Sequence, residues 1–217
     1  MSEFIYERDM PDYIKNMTKE ELDKYIKELE KEPFDKEKMN IFEQTKAYEN
    51  YIKNHINNVI EAYNHFFIPI LDLDVRNDIK FAILQCGKQI YKHDQSKWFP
   101  EEFDAYRKYF YPTDKEKANK NFKILIKSEF DKAWEHHHKN NGHHPEHWNK
   151  QNDCFINMPL VYIIEMMCDW YAMSKHFGTD CYEWWKNAEK ERSFMTQNTI
   201  DMVEDLFHIT AAYEKDF

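Results

Sequence analysis

The sequence predicts an all-α protein, and three observations carry that expectation. The chain of 217 residues has only 3 glycines and 7 prolines, too little punctuation for a β-sandwich or a glycine-rich nucleotide-binding fold. Apolar residues recur three, four or seven apart through most of its length, the spacing of a helix face. Finally, Met158 to Ser174 is apolar or aromatic except for Glu165, Asp169 and the closing serine, which reads as a helix buried on all sides. Hydrophobic residues make up 42 % and aromatic residues 17 %, enough for one sizeable core in a single domain.

Taken in order, residues 1–17 read as an arm. Thr18-Lys19-Glu20-Glu21 is a capping-box pattern, followed by Leu22, Tyr25, Ile26 and Leu29 at helical spacing, with Pro33 as the stop. Residues 1–34 are therefore expected to be an N-terminal helical extension and 35–217 a single helical domain. From Asp35 to Phe67, Ile41, Tyr48, Tyr51, Ile52, His55, Val59 and Ala62 mark one apolar stripe. Ile68-Pro69-Ile70 breaks it, and an acidic connection leads to a helix ending near His93. Pro100-Glu101-Glu102 opens the next helix with proline and acids in its first turn, as the macrodipole favours. Thr113 or Asp114 is expected to cap a long helix through Phe122, Phe130 and His137. Gly178 ends the apolar helix, Asp180 opens a short one, and a last helix covers Gln197 to Tyr213. No strand is expected.

Composition narrows the function. A formal net charge of −10 and a pI near 5.6 oppose generic binding to duplex nucleic acid. There is no phosphate-binding glycine loop and no serine-nucleophile elbow. The four cysteines, Cys86, Cys154, Cys168 and Cys181, lack C-x-x-C spacing, which fits a reducing compartment. The start lacks a signal-peptide pattern and no apolar run reaches the ~18 residues of a membrane span, so a cytoplasmic, non-membrane protein is expected.

The chemistry gathers in four places. His93-Asp94 sits at a helix end, where neighbouring side chains can turn towards one point. His55 lies on an apolar stripe and, taken alone, reads as a core or boundary histidine. Six of the 11 histidines fall between Trp134 and Trp148, a pattern that suits a metal or phosphate site. Glu165 and Asp169, four residues apart on the apolar helix, share one face. Buried unpaired carboxylates cost several kcal/mol each, so they need cationic partners, and the histidines or a metal held by them are the best available. Imidazole nitrogen with carboxylate oxygen is the donor set of divalent transition metals. The separations are long (93 − 55 = 38 and 169 − 94 = 75), so tertiary packing must assemble the site.

This order, H…HD…D, resembles the HD-type metal-dependent phosphohydrolases, which are all-helical domains. The resemblance implies an HD-like helical bundle in which His55, His93, Asp94 and Asp169 bind one metal. The form His93-Asp94-Gln95-Ser96-Lys97 is similar to that of the HD-GYP branch and of the di-iron HD oxygenases. There, intervening histidines hold a second metal, which makes His137, His143 and His144 candidates. The GYP tripeptide itself is absent, against a cyclic-dinucleotide substrate. A closer likeness is to a domain family of unknown function from bacteria and phages, through His93-Asp94-Gln95-Ser96-Lys97, Glu102-Phe103 to Tyr106, Ala133-Trp134 with His136-His137, His143-His144, and Glu165-Met166 to Asp169-Trp170. The chain departs from that pattern at Trp98 and Pro145, neither of them a candidate ligand.

The expected function is a phosphohydrolase or phosphodiesterase acting on a nucleotide or other small phosphate ester. It would carry one or two divalent metals per chain (Mn, Fe, Ni, Co or Zn). Lys97 and Arg107 are expected to neutralise the phosphoryl group. Lys97, His136 and Glu165 are the expected catalytic groups, with His136 protonating the leaving group. The alternatives are a di-iron oxygenase on the same fold and a non-catalytic protein stabilised by metal. A homo-oligomer is compatible with any of these.

Overall fold

The computed structural model describes residues 16–21, 23–24, 36–119, 121–150 and 154–216. The chain divides into two compact units, Met1–Met39 and Asn40–Phe217. In the first, the capping box forms: Thr18 Oγ1 accepts from the Glu21 amide at 3.3 Å, and Glu21 Oε2 accepts from the Thr18 amide at 2.8 Å. The expected stripe through Tyr25 and Leu29 and the stop at Pro33 lie outside the described residues.

The fold is all-α. Helix α1 (Lys36–Ala62) runs into a π-turn at Tyr63–Phe67 and a 3₁₀ turn at Ile68–Asp72. Then follow α2 (Asn77–Gln89), α3 (Pro100–Phe110), α4 (Asp114–Ala118), α5 (Phe122–Asn140), α6 (Leu160–Phe177), α7 (Cys181–Lys186), α8 (Glu189–Arg192) and α9 (Gln197–Thr210). Among the described residues the only strands form a two-residue antiparallel ladder, Asn149–Lys150 against Cys154–Phe155. Among the described residues no helix is long and apolar enough to cross a membrane.

Local chemistry explains the boundaries. Gly178 closes α6 in the left-handed region at φ 66°, where glycine has no Cβ penalty. Asp180 and Thr196 cap α7 and α9 by accepting from the Glu183 and Thr199 amides. The single long helix expected after Thr113 is instead two. Thr113 and Glu116 form a full capping box for α4, but Asn119 Oδ1 accepts from the Asn121 amide at 3.0 Å. That local side-chain bond competes with the helical ladder and lets α5 start afresh at Phe122.

Two apolar clusters flank the site. The larger joins the end of α1 and its π-turn to α2, α6 and α9, through residues such as Phe66, Phe67, Ile83, Ile164 and Phe207. The smaller holds Tyr48 and Ile52 of α1 against Tyr106 of α3 and Phe130 and Ala133 of α5. α2 packs on α6 and α3 on α5. The mid-part of α1 thus lies between the two clusters, where His55 is buried.

Arg107 belongs to this framework. Its guanidinium, expected to meet phosphate, is buried and takes Glu116 in a bidentate pair at 2.8 and 2.9 Å, with the Tyr111 carbonyl at 3.3 Å. A planar fork committed in this way locks the end of α3 to the α4 cap. Burial raises the Glu116 pKa, but Arg107 and the Thr113 amide and hydroxyl more than reverse this, holding the carboxyl at about 2. An unfolded glutamate titrates near ~4.3. The pair's stabilisation is therefore complete above that value and is lost as the pH falls towards 2. Glu116→Gln should lower stability at neutral pH and flatten the acid limb of a urea-midpoint profile; an unchanged limb would remove Arg107–Glu116 from the framework.

Candidate metal centre

Asp94 is the geometric centre. The chain leaves α2 through a 3₁₀ turn at Ile90–Lys92, and Asp94 then adopts φ 55°, the left-handed region. It is the only non-glycine residue with positive φ among those described. Aspartate tolerates that conformation better than most residues, and isolated cases cluster at functional sites. The turn aims the His93 and Asp94 side chains at one region, and the next 3₁₀ turn (Gln95–Trp98) brings the Lys97 ammonium onto Asp94 Oδ2.

The two oxygens of Asp94 face different sets of imidazoles. Oδ2 lies 3.4 Å from His55 Nε2 and 3.7 Å from His93 Nε2. Asp169 Oδ1 completes this first group, 3.1 Å from His55 Nε2 and 3.9 Å from His93 Nε2. Oδ1 lies 3.2 Å from His137 Nε2 and 3.5 Å from His143 Nε2. His144 joins this second group, whose donor atoms lie within 4.8 Å of one another. His143 also falls into a group with His93 and Asp169, so it stands between the two.

These contacts are not a hydrogen-bond network. Asp94 Oδ1 and the Nε2 atoms of His93, His143 and His144 are buried with no hydrogen-bond partner. Donors around a metal with bonds of about 2.0–2.2 Å stand about 3–3.4 Å apart. The closer contacts fall in that range, so the residues fit a divalent metal in each group, with Asp94 shared. Seven imidazole and carboxylate side chains from α1, α5, α6 and two loops converge in this way.

An outer layer with shorter bonds orients the rings. Glu165 Oε1 lies 3.0 Å from His93 Nδ1 and 3.4 Å from His143 Nδ1, and its Oε2 accepts from Gln89 at 2.7 Å. Glu102 Oε2 lies 2.8 Å from His137 Nδ1, and its Oε1 2.8 Å from His136 Nδ1. Ser96 Oγ donates to Glu102 at 3.0 Å and accepts from Asn141 at 2.9 Å. A carboxylate on Nδ1 fixes the tautomer and leaves Nε2 free for a metal. Burial raises the Glu165 pKa, but His143 and His93 reverse this and hold it at about 2. Burial lowers the pKa of His55, but Asp169 and Asp94 overcome it and raise it to about 9. These carboxylates draw a proton onto His55, and a metal bound at its Nε2 would have to displace that proton.

The sequence-derived candidates divide accordingly. His55, His93, Asp94, His137, His143, His144 and Asp169 come together. Lys97 joins them through Asp94. Glu165, expected among the catalytic groups, is instead turned onto two imidazoles as a positioning residue. His136, expected to act on a leaving group, turns its ring to Glu102 with 40 % of its side chain exposed. Arg107 remains on Glu116, away from these groups. Sequence reasoning missed Glu102, which reads as an ordinary first-turn acid and is wholly buried. It also missed Gln89, Ser96 and Asn141.

The loop carrying His143 and His144 is held by a close approach. A Cβ on Gly142 would meet the Tyr162 ring at 2.6 Å, and the Gly142 carbonyl accepts from Trp148 Nε1 at 2.8 Å. Gly142→Ala should push this loop outwards and weaken metal retention with little change in helix content. Glu165→Gln should lower metal affinity by about 10–100-fold, read by competition with a chromogenic chelator; unchanged affinity in both variants would refute the assignment.

Comparison with known proteins gives a family without an activity. No curated protein and no solved structure matches the chain. A family of unknown function, DUF5662, matches residues 44–209, a span that holds every residue of the two groups around Asp94. The chain therefore belongs to the DUF5662 family.

Proposed function

We propose that the protein is a metal-dependent phosphohydrolase or phosphodiesterase of the HD type, acting on a nucleotide or other small phosphate ester. The observation that carries this reading is the shared Asp94 carboxylate, with one oxygen towards His55 and His93 and the other towards His137 and His143, Asp169 standing beside the first pair and His144 beside the second. Two carboxylate-bridged metals form the arrangement that many phosphoester hydrolases use. When bound, the metals supply Lewis-acid charge and lower the pKa of water.

The chain's own residues supply the rest. A cleft of about 250 Å³ opens on the His55 side, lined by Asn50, Asn54 and Asn58 along α1 and by Tyr51, Tyr111 and His176. That volume lies just below the ~300–1,000 Å³ of ordinary drug-sized sites, a size that suits a small ester. His55 lies at its inner wall, and Tyr51 stacks on that imidazole at 6.2 Å and 8°. Asp169 and Lys97 keep 17 % and 14 % of their side chains exposed, while His137 and His143 are almost wholly buried. Lys97, seated on Asp94, is the cation at this centre that would hold a non-bridging oxygen of a phosphoryl group and offset its charge. Glu102 and Glu165 keep the imidazoles from rotating as charge develops.

A di-iron oxygenase would use the same nitrogen and oxygen donors, and a structural-metal protein would use them without turnover. Anaerobic purification with metal analysis, followed by a panel of phosphate esters with Mn²⁺, Fe²⁺, Co²⁺ and Ni²⁺, separates the three. The expected result is ester hydrolysis that chelation abolishes and metal restores. Asp94→Asn should lose bound metal and turnover together while keeping its helical circular dichroism. Lys97→Met should keep its metal and lose about 10²-fold or more in kcat, the scale of removing one charge-stabilising donor. Two irons per chain with an iron EPR signal and no hydrolysis would replace this reading with the oxygenase.

A further inference from the structure

We propose a further metal-binding position, beside the second group around Asp94 and sharing His144 with it, formed by His138, His144 and Glu146 and taking a divalent transition cation. It starts from a device that the chain repeats. His93 has Nδ1 on Glu165, His137 has Nδ1 on Glu102, and each points Nε2 towards Asp94. His138 is built the same way. Its Nδ1 lies 3.1 Å from Glu146 Oε1, and its Nε2 is buried with no hydrogen-bond partner. His136 also has Nδ1 on a carboxylate, but 40 % of its side chain is exposed, so its ring is open to solvent. His138 is only 9 % exposed and has no such recourse.

His144 supplies the second donor. Its Nε2 is likewise buried and unpartnered, and its ring stacks on that of His138 at 4.2 Å and 19°. The candidate donor atoms of His138, His144 and Glu146 lie within 4.8 Å of one another. Packing against Trp134, at 4.3 Å between centroids, accounts for burial of the His138 ring. It does not account for a carboxylate on one ring nitrogen and an unpartnered other. Two imidazoles with one carboxylate suit zinc, iron, cobalt or nickel better than magnesium or calcium, which take oxygen ligands.

The position adjoins the inner centre through His144, which also belongs with Asp94, His137 and His143; one ring nitrogen holds one ion, so with both places filled the inner ion keeps Asp94, His137 and His143. Glu146, with 30 % of its side chain exposed, gives this side an anionic mouth. The inner imidazoles of His137 and His143 are 2 % and 3 % exposed. The outer position thus stands on the solvent side of the inner one.

The test is anomalous diffraction at the zinc edge from crystals of the full chain equilibrated with a small molar excess of Zn²⁺, together with metal analysis in solution. The expected map has a peak between His138 and His144 in addition to density at Asp94. Glu146→Gln and His138→Ala should each lose the outer peak and a single ion per chain while keeping the Asp94 density. Density at Asp94 with none at His138 in the unmodified protein overturns the proposal, as does an outer peak that survives both substitutions. An outer peak with none at Asp94 would uphold this site and overturn the proposed function; no peak at either place would overturn both.

Discussion

The structure depends on one buried carboxylate held between imidazoles. Asp94 is 2 % exposed, and burial on its own would raise its pKa and favour the neutral acid. Lys97, His93, His137 and His55 together hold it well below the usual carboxylate range, so it remains an anion inside the protein. A buried charge of this kind is tolerated only with charged or hydrogen-bonded partners on every side. Much of the architecture can be read as the supply of those partners: α1 brings His55, α5 brings His137, α6 brings Asp169, and a left-handed residue at the end of α2 turns Asp94 towards all of them.

The same constraint is nested one layer out. Each inner imidazole that faces Asp94 Oδ1, and His93 beside it, has a carboxylate behind it: Glu102 behind His137, Glu165 behind His93 and His143. Those carboxylates are themselves anchored by Gln89 and Ser96. The two apolar clusters on either side make this layering rigid, since side chains in close-packed surroundings hold their rotamers. The cleft along α1 opens beside His55, and Glu146 marks a second solvent-facing side of this polar core.

Much of this was legible in the chain. The helix-only pattern, the Gly178 stop and the Asp180 cap follow from local rules, because caps and periodicity act within one or two turns. Glu165 and Asp169 in an apolar helix already demanded cationic partners by the cost of burial. The histidine-rich loop and His93-Asp94 marked themselves by residue type. The break at Asn119 was not legible, because a single side-chain bond to the Asn121 amide decides between one helix and two. Nor was the fate of Arg107, whose alternatives of phosphate and Glu116 differ only in where α4 folds back.

By itself, then, the sequence determined the fold class and singled out the imidazoles and carboxylates that must find partners, since helical period and the scarcity of partners for buried charge are properties of composition and spacing. Tertiary structure decided roles. Glu165 moved from the chemistry to the support of two rings, Glu102 rose from a first-turn acid to the anchor of His137, and His138 gained a carboxylate of its own. These assignments turn on which nitrogen of a ring faces which oxygen, a matter of ångströms between residues as far apart as His93 and Glu165. Periodicity along a chain carries no information at that scale; only the packing of helices against one another does.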